Sequence, residues 1–483
     1  MATGAQRPSA AFDPAGVESF SFLGRELDSR GELTLRYALD DGVEFTERIA
    51  LPIDEELDDE QRQRVDGLVS LLHWVAGISY FKAALPGSVR CESGAPGPAA
   101  AALLEALYSE GLGELAYVNR LSALPRPRFP RADAGAERLA HVPSAAGGVS
   151  RPAPVGGEHP GNAAPAVVPR RVLVPVGGGK DSAVAIEAVH AAGLEQALFS
   201  VGDAAPIART AAVAGLPHLI ARRRIDPLLF ELNAAGAING HVPVTAIVTC
   251  IAVLVAALNG FDTVAMANER SASAGNVRWD GIEVNHQFSK SLVAERLLAA
   301  AIGETSPPAP TVRALSILRR ASELAIARAF AGLERYHGAF TSCNAIFRID
   351  PGLRAASWCR DCPKCRFVFL ALAPFRSPAQ MAQIFGADLL DDERQFEGFA
   401  LLAASGGHKP FECVGEEQES LAAMRLLAAD ERWRGHAVVR RLAAEVLPAH
   451  PLPEGDPEAV LALSGEHDVP AVLLDGVRAV LGA

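Results

Sequence analysis

A glycine-rich turn between an apolar strand and a helix constrains the fold of this chain more than any other feature. The strand candidate runs from Arg171 to Val176, Gly177–Gly179 form the turn, and a helix candidate continues through Ala192. Further short apolar strands, separated by helical segments, occur at 196–201, 218–221 and 263–267. Strands that alternate with helices predict an α/β fold, in which a parallel sheet is covered by helices on both faces.

The turn continues with Lys180, Asp181 and Ser182, which gives the junction the chemistry of a phosphate-binding loop. Glycines let the backbone approach an anion closely, and the start of a helix supplies free N–H groups and a partial positive charge. Lys180 adds positive charge, Asp181 can hold a magnesium ion, and the Ser182 hydroxyl can donate to a phosphate oxygen. The competing interpretation is a glycine turn without a ligand, which the Lys-Asp-Ser continuation disfavours.

Three kinds of phosphate loop compete at this position. A Walker A loop needs Gly at position 174 and Ser or Thr at 181, where this chain has Val174 and Asp181. A dinucleotide fingerprint needs Gly or Ala at position 182; Ser182 departs from it, although Asp203 after the second strand is consistent with it. The segment resembles the SGGxDS signature of the PP-loop of N-type ATP pyrophosphatases, with Gly177 in place of the first serine. That resemblance implies an adenine nucleotide α-hydrolase-like fold, in which the loop holds pyrophosphate and ATP is cleaved between its α and β phosphates. Pro175 is the one misfit, because proline is awkward in a central strand.

Two polar segments follow the strand at 263–267. Ala267–Asn276 comes directly after that strand, and open parallel sheets bind ligands at the carboxyl ends of their strands. Val284–Ser291 combines amide, imidazole, hydroxyl and ammonium groups within a few residues. We therefore predict that both segments line a nucleotide or substrate site, against the alternative of an exposed loop and a structural turn. The candidate substrate-binding residues are Asn268, Glu269, Arg270, Ser271, Asn285, His286, Lys290 and Ser291.

The cysteines predict a metal site. Cys359, Cys362 and Cys365 form a C-x2-C-x2-C pattern, and Cys343 can supply a fourth thiolate from sixteen residues earlier. Four thiolates suit a structural, tetrahedral zinc ion, with an iron–sulfur cluster as the alternative. Cys413 stands apart from this group. A lone cysteine is usually a buried small residue, but this one is flanked by Lys, Glu and Gly, which makes it a candidate for proton transfer.

Composition limits the class of protein. Of 483 residues, 49% are hydrophobic and 21% are charged, which excludes global disorder. The net charge of -12 argues against nucleic acid or anionic membrane as the main partner. The N-terminus lacks an apolar signal-peptide core, and the apolar run at 245–258 is too short to span a bilayer, so we expect a buried helix there and a cytoplasmic protein.

Changes in pattern along the chain predict four regions. An N-terminal α+β domain at 1–130 contains an antiparallel meander at 17–51 and helices at 55–83 and 98–120. An Ala/Pro/Gly linker occupies 131–169, and the nucleotide-binding domain occupies 170–345. The cysteine cluster and a helical C-terminal region occupy 346–483, and we expect mostly helix at 311–336 and 366–404.

Together these segments resemble the MurL family, the UDP-N-acetyl-α-D-muramoyl-L-alanyl-L-glutamate epimerases of peptidoglycan synthesis. The resemblance extends from about residue 17 to about residue 440, without the linker, and it is carried by 177–182, 268–276, 284–291, 359–365, 409–415, Tyr80–Ala84 and Tyr117–Asn119. It implies an isomerase that converts the terminal L-Glu of UDP-MurNAc-L-Ala-L-Glu to D-Glu while ATP is hydrolysed to AMP and diphosphate. It also implies a functional pairing with a MurD-type ligase, which attaches the L-Glu first.

The resemblance further implies roles for individual residues. Adenylation of the glutamyl carboxylate removes its charge and acidifies the α-proton, which a base then removes. In the loop, the resemblance implies pyrophosphate binding for Gly177, Gly178, Gly179 and Ser182, charge stabilisation for Lys180 and magnesium binding for Asp181. It implies pairing with a substrate carboxylate for Arg270, and contact with the acyl phosphate for His286 and Lys290. The implied candidates for proton transfer are Cys413, Glu412 and His286, in that order. Two other functions remain open: a PP-loop enzyme that modifies nucleobases or tRNA, supported by the cysteine cluster, and a non-catalytic adenine-nucleotide sensor.

Overall fold

The computed structural model describes residues 12–40, 42–132, 168–306, 312–347, 352, 354–355, 357–404 and 410–482. The predicted linker at 131–169 lies almost entirely outside these residues, and so does Lys409. Within the described part of the chain, eleven strands form: β1 Ser19–Leu27, β2 Glu32–Leu39, β3 Val43–Ala50, β4 Ser88–Cys91, β5 Arg171–Pro175, β6 Glu195–Val201, β7 His218–Arg224, β8 Thr263–Met266, β9 Val277–Trp279, β10 Ile282–Val284 and β11 Arg313–Ser316.

Nine of these strands form one sheet in the order β11-β8-β5-β6-β7-β3-β2-β1-β4. The five strands from β11 to β7 are parallel to one another. Beyond them, β3 pairs antiparallel with both β7 and β2, β2 pairs antiparallel with β1, and β4 pairs parallel with β1. The predicted α/β class with a mostly parallel sheet is therefore confirmed. The predicted meander at 17–51 also forms, and it extends the parallel sheet, because Arg48–Ala50 pair with Arg222–Arg224.

Helices cover both faces of the sheet. In chain order they are α1 Asp59–Ala76, α2 Ile78–Phe81, α3 Pro98–Ser109, α4 Gly113–Val118, α5 Lys180–Ala191, α6 Ala205–Ala214, α7 Leu228–Ala235, α8 Val244–Leu258, α9 Leu292–Thr305, α10 Glu323–Ala331, α11 Pro363–Leu372, α12 Pro378–Phe385, α13 Phe396–Ala400, α14 Glu417–Ala429, α15 Ala437–Arg441, α16 Pro457–Leu461 and α17 Ala471–Leu481. On one face, α8 packs between the parallel strands and α1. On the other face, α5 packs against the strands and is covered by α10 and α17.

The apolar helix α8 is buried along most of its length, as its sequence predicts. Its side chains share a hydrophobic core with α1, α3 and the N-terminal strands, so its apolarity is explained by packing inside the protein. Among the described residues, no helix combines the length and the apolarity that crossing a membrane requires.

Two details of the sheet differ from, or refine, the sequence analysis. The prediction of mostly helix at 311–336 is wrong at its start, where Arg313–Ser316 pair with β8 as an edge strand. The four residues Arg-Ala-Leu-Ser are too few to show a distinguishing periodicity, so pairing with β8 decides their conformation. The helix of this region begins at Glu323, where the Ser322 hydroxyl accepts a hydrogen bond from the Ala325 N–H. Pro175 is the last residue of β5, a position where proline is better tolerated than inside the strand.

Candidate active site

The predicted phosphate-binding loop lies at the carboxyl end of β5, and α5 begins directly after it. Gly178 has a φ of 80°, and a Cβ at this position would lie 2.7 Å from backbone and side-chain carbons of Pro206, so only glycine fits without strain. The Thr341 N–H donates to the Gly178 carbonyl at 2.9 Å, and the Ser182 hydroxyl donates to the Gly179 carbonyl at 3.0 Å. The loop is therefore held in one shape from both sides.

A buried charge network lies beneath the loop. The Lys180 ammonium binds the carboxylates of both Asp181 and Glu323, and the side chains of Lys180 and Glu323 are only 1% and 2% exposed. Burial alone would raise the pKa of Glu323, but Lys180 and Lys364 lower it, which keeps this carboxylate charged. The Lys364 Nζ lies 3.7 Å from the nearer Glu323 oxygen. Lys180 thus supports the loop from below and is absent from the residues that line the cavity above it.

That cavity, of about 360 Å3, opens at the carboxyl ends of β5, β6 and β8. It is large enough for part of a nucleotide or a substrate group. Its lining combines the loop with both predicted polar segments, with Thr341 and Ser342, and with two residues from the C-terminal region. The polar and glycine residues are Gly177, Gly179, Asp181, Ser182, Ser200, Thr245, Asn268, Glu269, Lys290, Thr341, Ser342, Lys364 and Cys413. Segments far apart in the sequence therefore meet at the sheet edge where the sequence predicts a site.

Four predicted substrate-binding residues do not line this cavity, and three of them make hydrogen bonds within the protein instead. The Arg270 guanidinium donates to the carbonyls of Val460 and Ala462 at 3.3 and 3.2 Å and also binds Ser464, so it fastens the C-terminal segment. The Asn285 amide donates to the Ala272 carbonyl at 2.9 Å. Ser271 is fully buried, and the Ser291 hydroxyl caps α9 by accepting from the Ala294 N–H. None of these four lines the cavity, so Arg270 is not placed to pair with a substrate carboxylate there.

Cys413 is the thiol that lines the cavity. The Lys290 ammonium donates to its sulfur at 3.5 Å, and His286 forms a hydrogen bond with the same side chain. Burial alone would raise the pKa of the Cys413 thiol, but the positive charge of Lys290 and the hydrogen bond from His286 outweigh burial and lower that pKa to about 6. At neutral pH this side chain is therefore mainly a thiolate.

His286 carries the matching positive charge. Burial would lower its pKa, but hydrogen bonds with Cys413 and with Glu114 raise it to about 9. The Glu114 carboxylate binds His286 Nδ1, and the His241 ring packs on the His286 ring with their centroids 4.3 Å apart. Glu114, His286 and Cys413 therefore form a connected carboxylate–imidazolium–thiolate arrangement.

Sequence analysis missed Glu114 and His241. Glu114 lies on α4, 172 residues before His286, and nothing in the local pattern of an acidic residue on a short helix marks it as functional. The one signal in the sequence that could have identified Glu114 is its position three residues before Tyr117–Asn119, a segment that contributes to the family resemblance. His241 precedes α8 in a segment that the sequence analysis left unassigned.

Two further carboxyl groups lie at the site. Glu269 is 3% exposed, and its pKa is raised by burial first and then by the negative charge of Glu323. Burial also raises the pKa of Glu412, whose carboxylate accepts a hydrogen bond from the Asn344 amide. Of these two, only Glu269 lines the cavity.

The four clustered cysteines converge next to the cavity. The sulfur atoms of Cys343, Cys359, Cys362 and Cys365 all lie within 4.8 Å of one another. The pattern in the sequence and the geometry of the fold thus bring together the same four side chains.

A glycine loop at a helix start and a thiol with a lowered pKa line one cavity at the carboxyl edge of a parallel sheet. Such an arrangement is typical of an α/β enzyme that acts on a small molecule. Comparison with known proteins makes this assignment specific. The MurL N-terminal domain family matches residues 11–309, and the MurL C-terminal domain family matches residues 339–454. The chain belongs to the MurL family.

Curated relatives are similar over nearly their whole length. The chain is 45% identical to a Micromonospora protein over 94% of this chain and 96% of the relative, and 46% identical to a Salinispora tropica protein over 88% of each. It is 41% identical to a Xanthomonas oryzae protein over 97% of this chain and 99% of the relative. All three relatives are named UDP-N-acetyl-alpha-D-muramoyl-L-alanyl-L-glutamate epimerase. No solved structure matches this chain.

Proposed function

We propose that this protein epimerises the terminal glutamate of UDP-MurNAc-L-Ala-L-Glu from L to D, and that cleavage of ATP to AMP and diphosphate drives the reaction. The observation that carries the proposal is that the phosphate-binding loop and Cys413 line the same cavity. One bound substrate can therefore react with ATP and lose its α-proton without leaving the site. Family membership and the names of the relatives support the substrate and the outcome.

In the first half-reaction, the α-carboxylate of the glutamyl residue attacks the α phosphorus of ATP. A bond forms between the carboxylate oxygen and that phosphorus, the bond to the bridging oxygen breaks, and diphosphate leaves with the electron pair. We assign a PP-loop role to Gly177–Gly179: these glycines precede α5, and the N–H groups at the start of a helix suit binding of the departing diphosphate. Lys180, held beneath the loop by Glu323, contributes positive charge.

Magnesium fits the chemistry of this loop. Asp181 lines the cavity, commits one carboxylate oxygen to Lys180, and offers the hard oxygen ligand that this ion prefers. The ion, when bound, neutralises charge on the phosphates.

In the second half-reaction, the adenylate makes the α-proton removable. A free carboxylate resists loss of this proton because the product would carry two negative charges, whereas the acyl adenylate delocalises one. The Cys413 thiolate, with a pKa of about 6, accepts the proton, and the planar carbanion is then protonated on its other face. Water hydrolyses the adenylate, which releases AMP and the D-glutamyl product.

Cys413 and His286 are in direct contact, so we assign them to one face of the substrate. His286, charged and oriented by Glu114, keeps Cys413 ionised. The opposite face needs a protonated acid. We assign that role to Glu269, because it is the carboxyl group with a raised pKa that lines the cavity. An acid and a base whose pKa values are shifted in opposite directions suit a two-base epimerisation.

The test supplies the protein with UDP-MurNAc-L-Ala-L-Glu, ATP and magnesium, followed by chiral analysis of the glutamate and quantification of the adenine nucleotides. We expect D-Glu to form together with AMP and diphosphate. Accumulation of ADP during turnover would refute cleavage at the α phosphorus, and retention of L-Glu would refute the epimerase assignment.

Proton exchange in D2O separates the two proposed bases. With one base removed, deuterium enters the α position from one epimer of the substrate and not from the other. We expect Cys413→Ser and Glu269→Gln to block exchange from opposite epimers while both still release diphosphate. If both variants block exchange from the same epimer, Glu269 is not the second base.

Other elements of the proposal concern the cellular setting. A ligase of the MurD type that couples L-Glu to UDP-MurNAc-L-Ala supplies the substrate, and both reactions take place in the cytoplasm, where ATP is available.

A further inference from the structure

We propose that Cys343, Cys359, Cys362 and Cys365 bind one zinc ion, and that this ion braces the active-site cavity by fixing two of its walls at once. The inference goes beyond the epimerase assignment, because it concerns how the cavity is assembled. It rests on the positions of the four sulfur atoms and on the contacts made by the residues next to them.

The spacing of the sulfurs fits a single ion. Zinc–sulfur bonds of about 2.3 Å in a tetrahedron place the sulfur atoms about 3.8 Å apart. The sulfurs of Cys359 and Cys365 are 3.7 Å apart, and all four lie within 4.8 Å of one another. Iron–sulfur clusters distribute their thiolates over several irons and hold them farther apart, so the spacing favours one metal ion.

The backbone around the cluster also supports thiolate ligands. The Cys359 N–H donates to the Cys343 sulfur at 3.5 Å, and the Cys365 N–H donates to the Cys362 sulfur at 3.4 Å. Such donors stabilise negative charge on ligand sulfur and hold the side chains in place.

The first wall precedes Cys343 directly. The Thr341 N–H donates to the Gly178 carbonyl, and the Ser342 hydroxyl lies 2.8 Å from the position that a Cβ on Gly179 would occupy. Both residues line the cavity. An ion that binds Cys343 therefore also fixes Thr341 and Ser342, which contact the phosphate-binding loop.

The second wall lies inside the cysteine motif. Lys364 stands between Cys362 and Cys365 and is 8% exposed. Its ammonium binds the backbone carbonyl of Cys413 and lies 3.7 Å from Glu323. By holding Cys362 and Cys365, the zinc ion thus positions the Lys364 ammonium between Cys413 and Glu323.

Loss of the ion should release both walls together. We expect ATP binding and the reactivity of Cys413 to fail in parallel, although the phosphate-binding loop and the Cys413 segment are linked to different zinc-binding cysteines. Lys364 is accordingly a positioning residue for Cys413.

The first experiment measures metal content, ATP binding and alkylation of Cys413 in the full-length protein. We expect one zinc per chain. Cys359→Ser should lower zinc occupancy, weaken ATP binding by about tenfold or more, and slow alkylation of Cys413 by iodoacetamide. Cys91→Ser, which changes a half-buried thiol on β4 outside the cluster, is the matched control and should leave all three unchanged.

Two results would overturn the proposal. Iron with acid-labile sulfide in the purified protein would exclude the single zinc ion. Zinc loss without any change in ATP binding or in alkylation of Cys413 would exclude the bracing role. None of these measurements requires epimerisation, and zinc content and alkylation of Cys413 do not require ATP either, so failure of the bracing role is distinguishable from failure of the proposed reaction.

A second variant keeps the test decisive if Cys359→Ser fails to fold. Lys364→Met leaves all four thiolates intact, so zinc should remain at one per chain. We expect alkylation of Cys413 to slow and its pH dependence to move to higher pH, with Lys364→Arg restoring both. Unchanged alkylation in Lys364→Met would refute the link between the cysteine motif and the thiol.

Discussion

Replacement of Lys290 by methionine tests the charge balance on which the proposed proton transfer depends. The Lys290 ammonium lies 3.5 Å from the Cys413 sulfur, which corresponds to an interaction of about 4.7 kcal/mol at an effective dielectric constant of about 20. That energy equals a change of about 3.5 in the pKa of the thiol. His286 remains in contact, and water can enter the space left by the ammonium, so we expect a rise of about 2, from about 6 to about 8.

The expected signature is a displaced acid limb in the pH dependence of epimerisation. At pH 7 a thiol with a pKa of about 8 is about one tenth ionised, so the rate in Lys290→Met should fall about tenfold and recover towards higher pH. The pH dependence of iodoacetamide alkylation of Cys413, followed by mass spectrometry of its peptide, reports the same pKa without substrate. Lys290→Arg retains the charge and should keep the acid limb near pH 6. If the acid limb of Lys290→Met stays near pH 6 while the rate falls uniformly, Lys290 does not hold the thiolate and the proposed base loses its support.

Three further predictions concern the loop, the imidazolium and the metal ligand. Gly178→Ala forces a side chain into a left-handed backbone against its neighbour and should cost about 2 kcal/mol or more, seen as a fall of about 2 °C or more in Tm for a chain of this length. Gly177→Ala, where a Cβ meets nothing within 4 Å, should leave Tm unchanged and serves as the control. Glu114→Gln removes the negative charge that stabilises His286 in its protonated form, so the pKa of His286, about 9, should fall by about 1 and the alkaline limb of the pH profile should move down with it; an unmoved limb would contradict the assignment. Asp181→Asn should reduce AMP release by about a hundredfold or more, and full turnover in this variant would argue against magnesium binding by Asp181.

Local pattern was sufficient to predict four of the five strands in the parallel part of the sheet. The alternation of apolar strands and helices gave β5 to β8, and the glycine turn fell at the junction of β5 and α5, where the structure has it. The meander at 17–51 followed from strict alternation of apolar and polar residues. The edge strand β11 was missed because a segment of four residues is too short to show a period, and only its neighbour β8 defines it as a strand.

The candidate site was predictable only where its residues lie next to an element boundary. The loop residues and Asn268 follow strands directly, so their place at the carboxyl edge of the sheet was expected, and both line the cavity. The same rule wrongly predicted that Arg270 would line the cavity; its guanidinium instead donates to the Val460 and Ala462 carbonyls. A segment's position at the sheet edge is set by the backbone, whereas the direction of each side chain depends on packing against parts of the chain that a local pattern does not contain.

The N-terminal region is part of the chemistry as well as of the sheet. Glu114 of this region pairs with His286, and the Tyr117 ring packs against Phe411 with the centroids 5.4 Å apart, two residues before the thiol. From the other side, the Asn276 amide donates to the Pro410 carbonyl at 3.0 Å. The segment that carries Cys413 is therefore held between α4 and the polar segment that follows β8. A nucleotide site could be built from the parallel strands and their loops alone, but an ionised, oriented thiol beside it needs α4. The proton-transfer half of the proposed reaction thus depends on contacts between parts of the chain about 300 residues apart, as Glu114 and Cys413 are. Changes at Tyr117 should accordingly impair α-proton exchange more than diphosphate release.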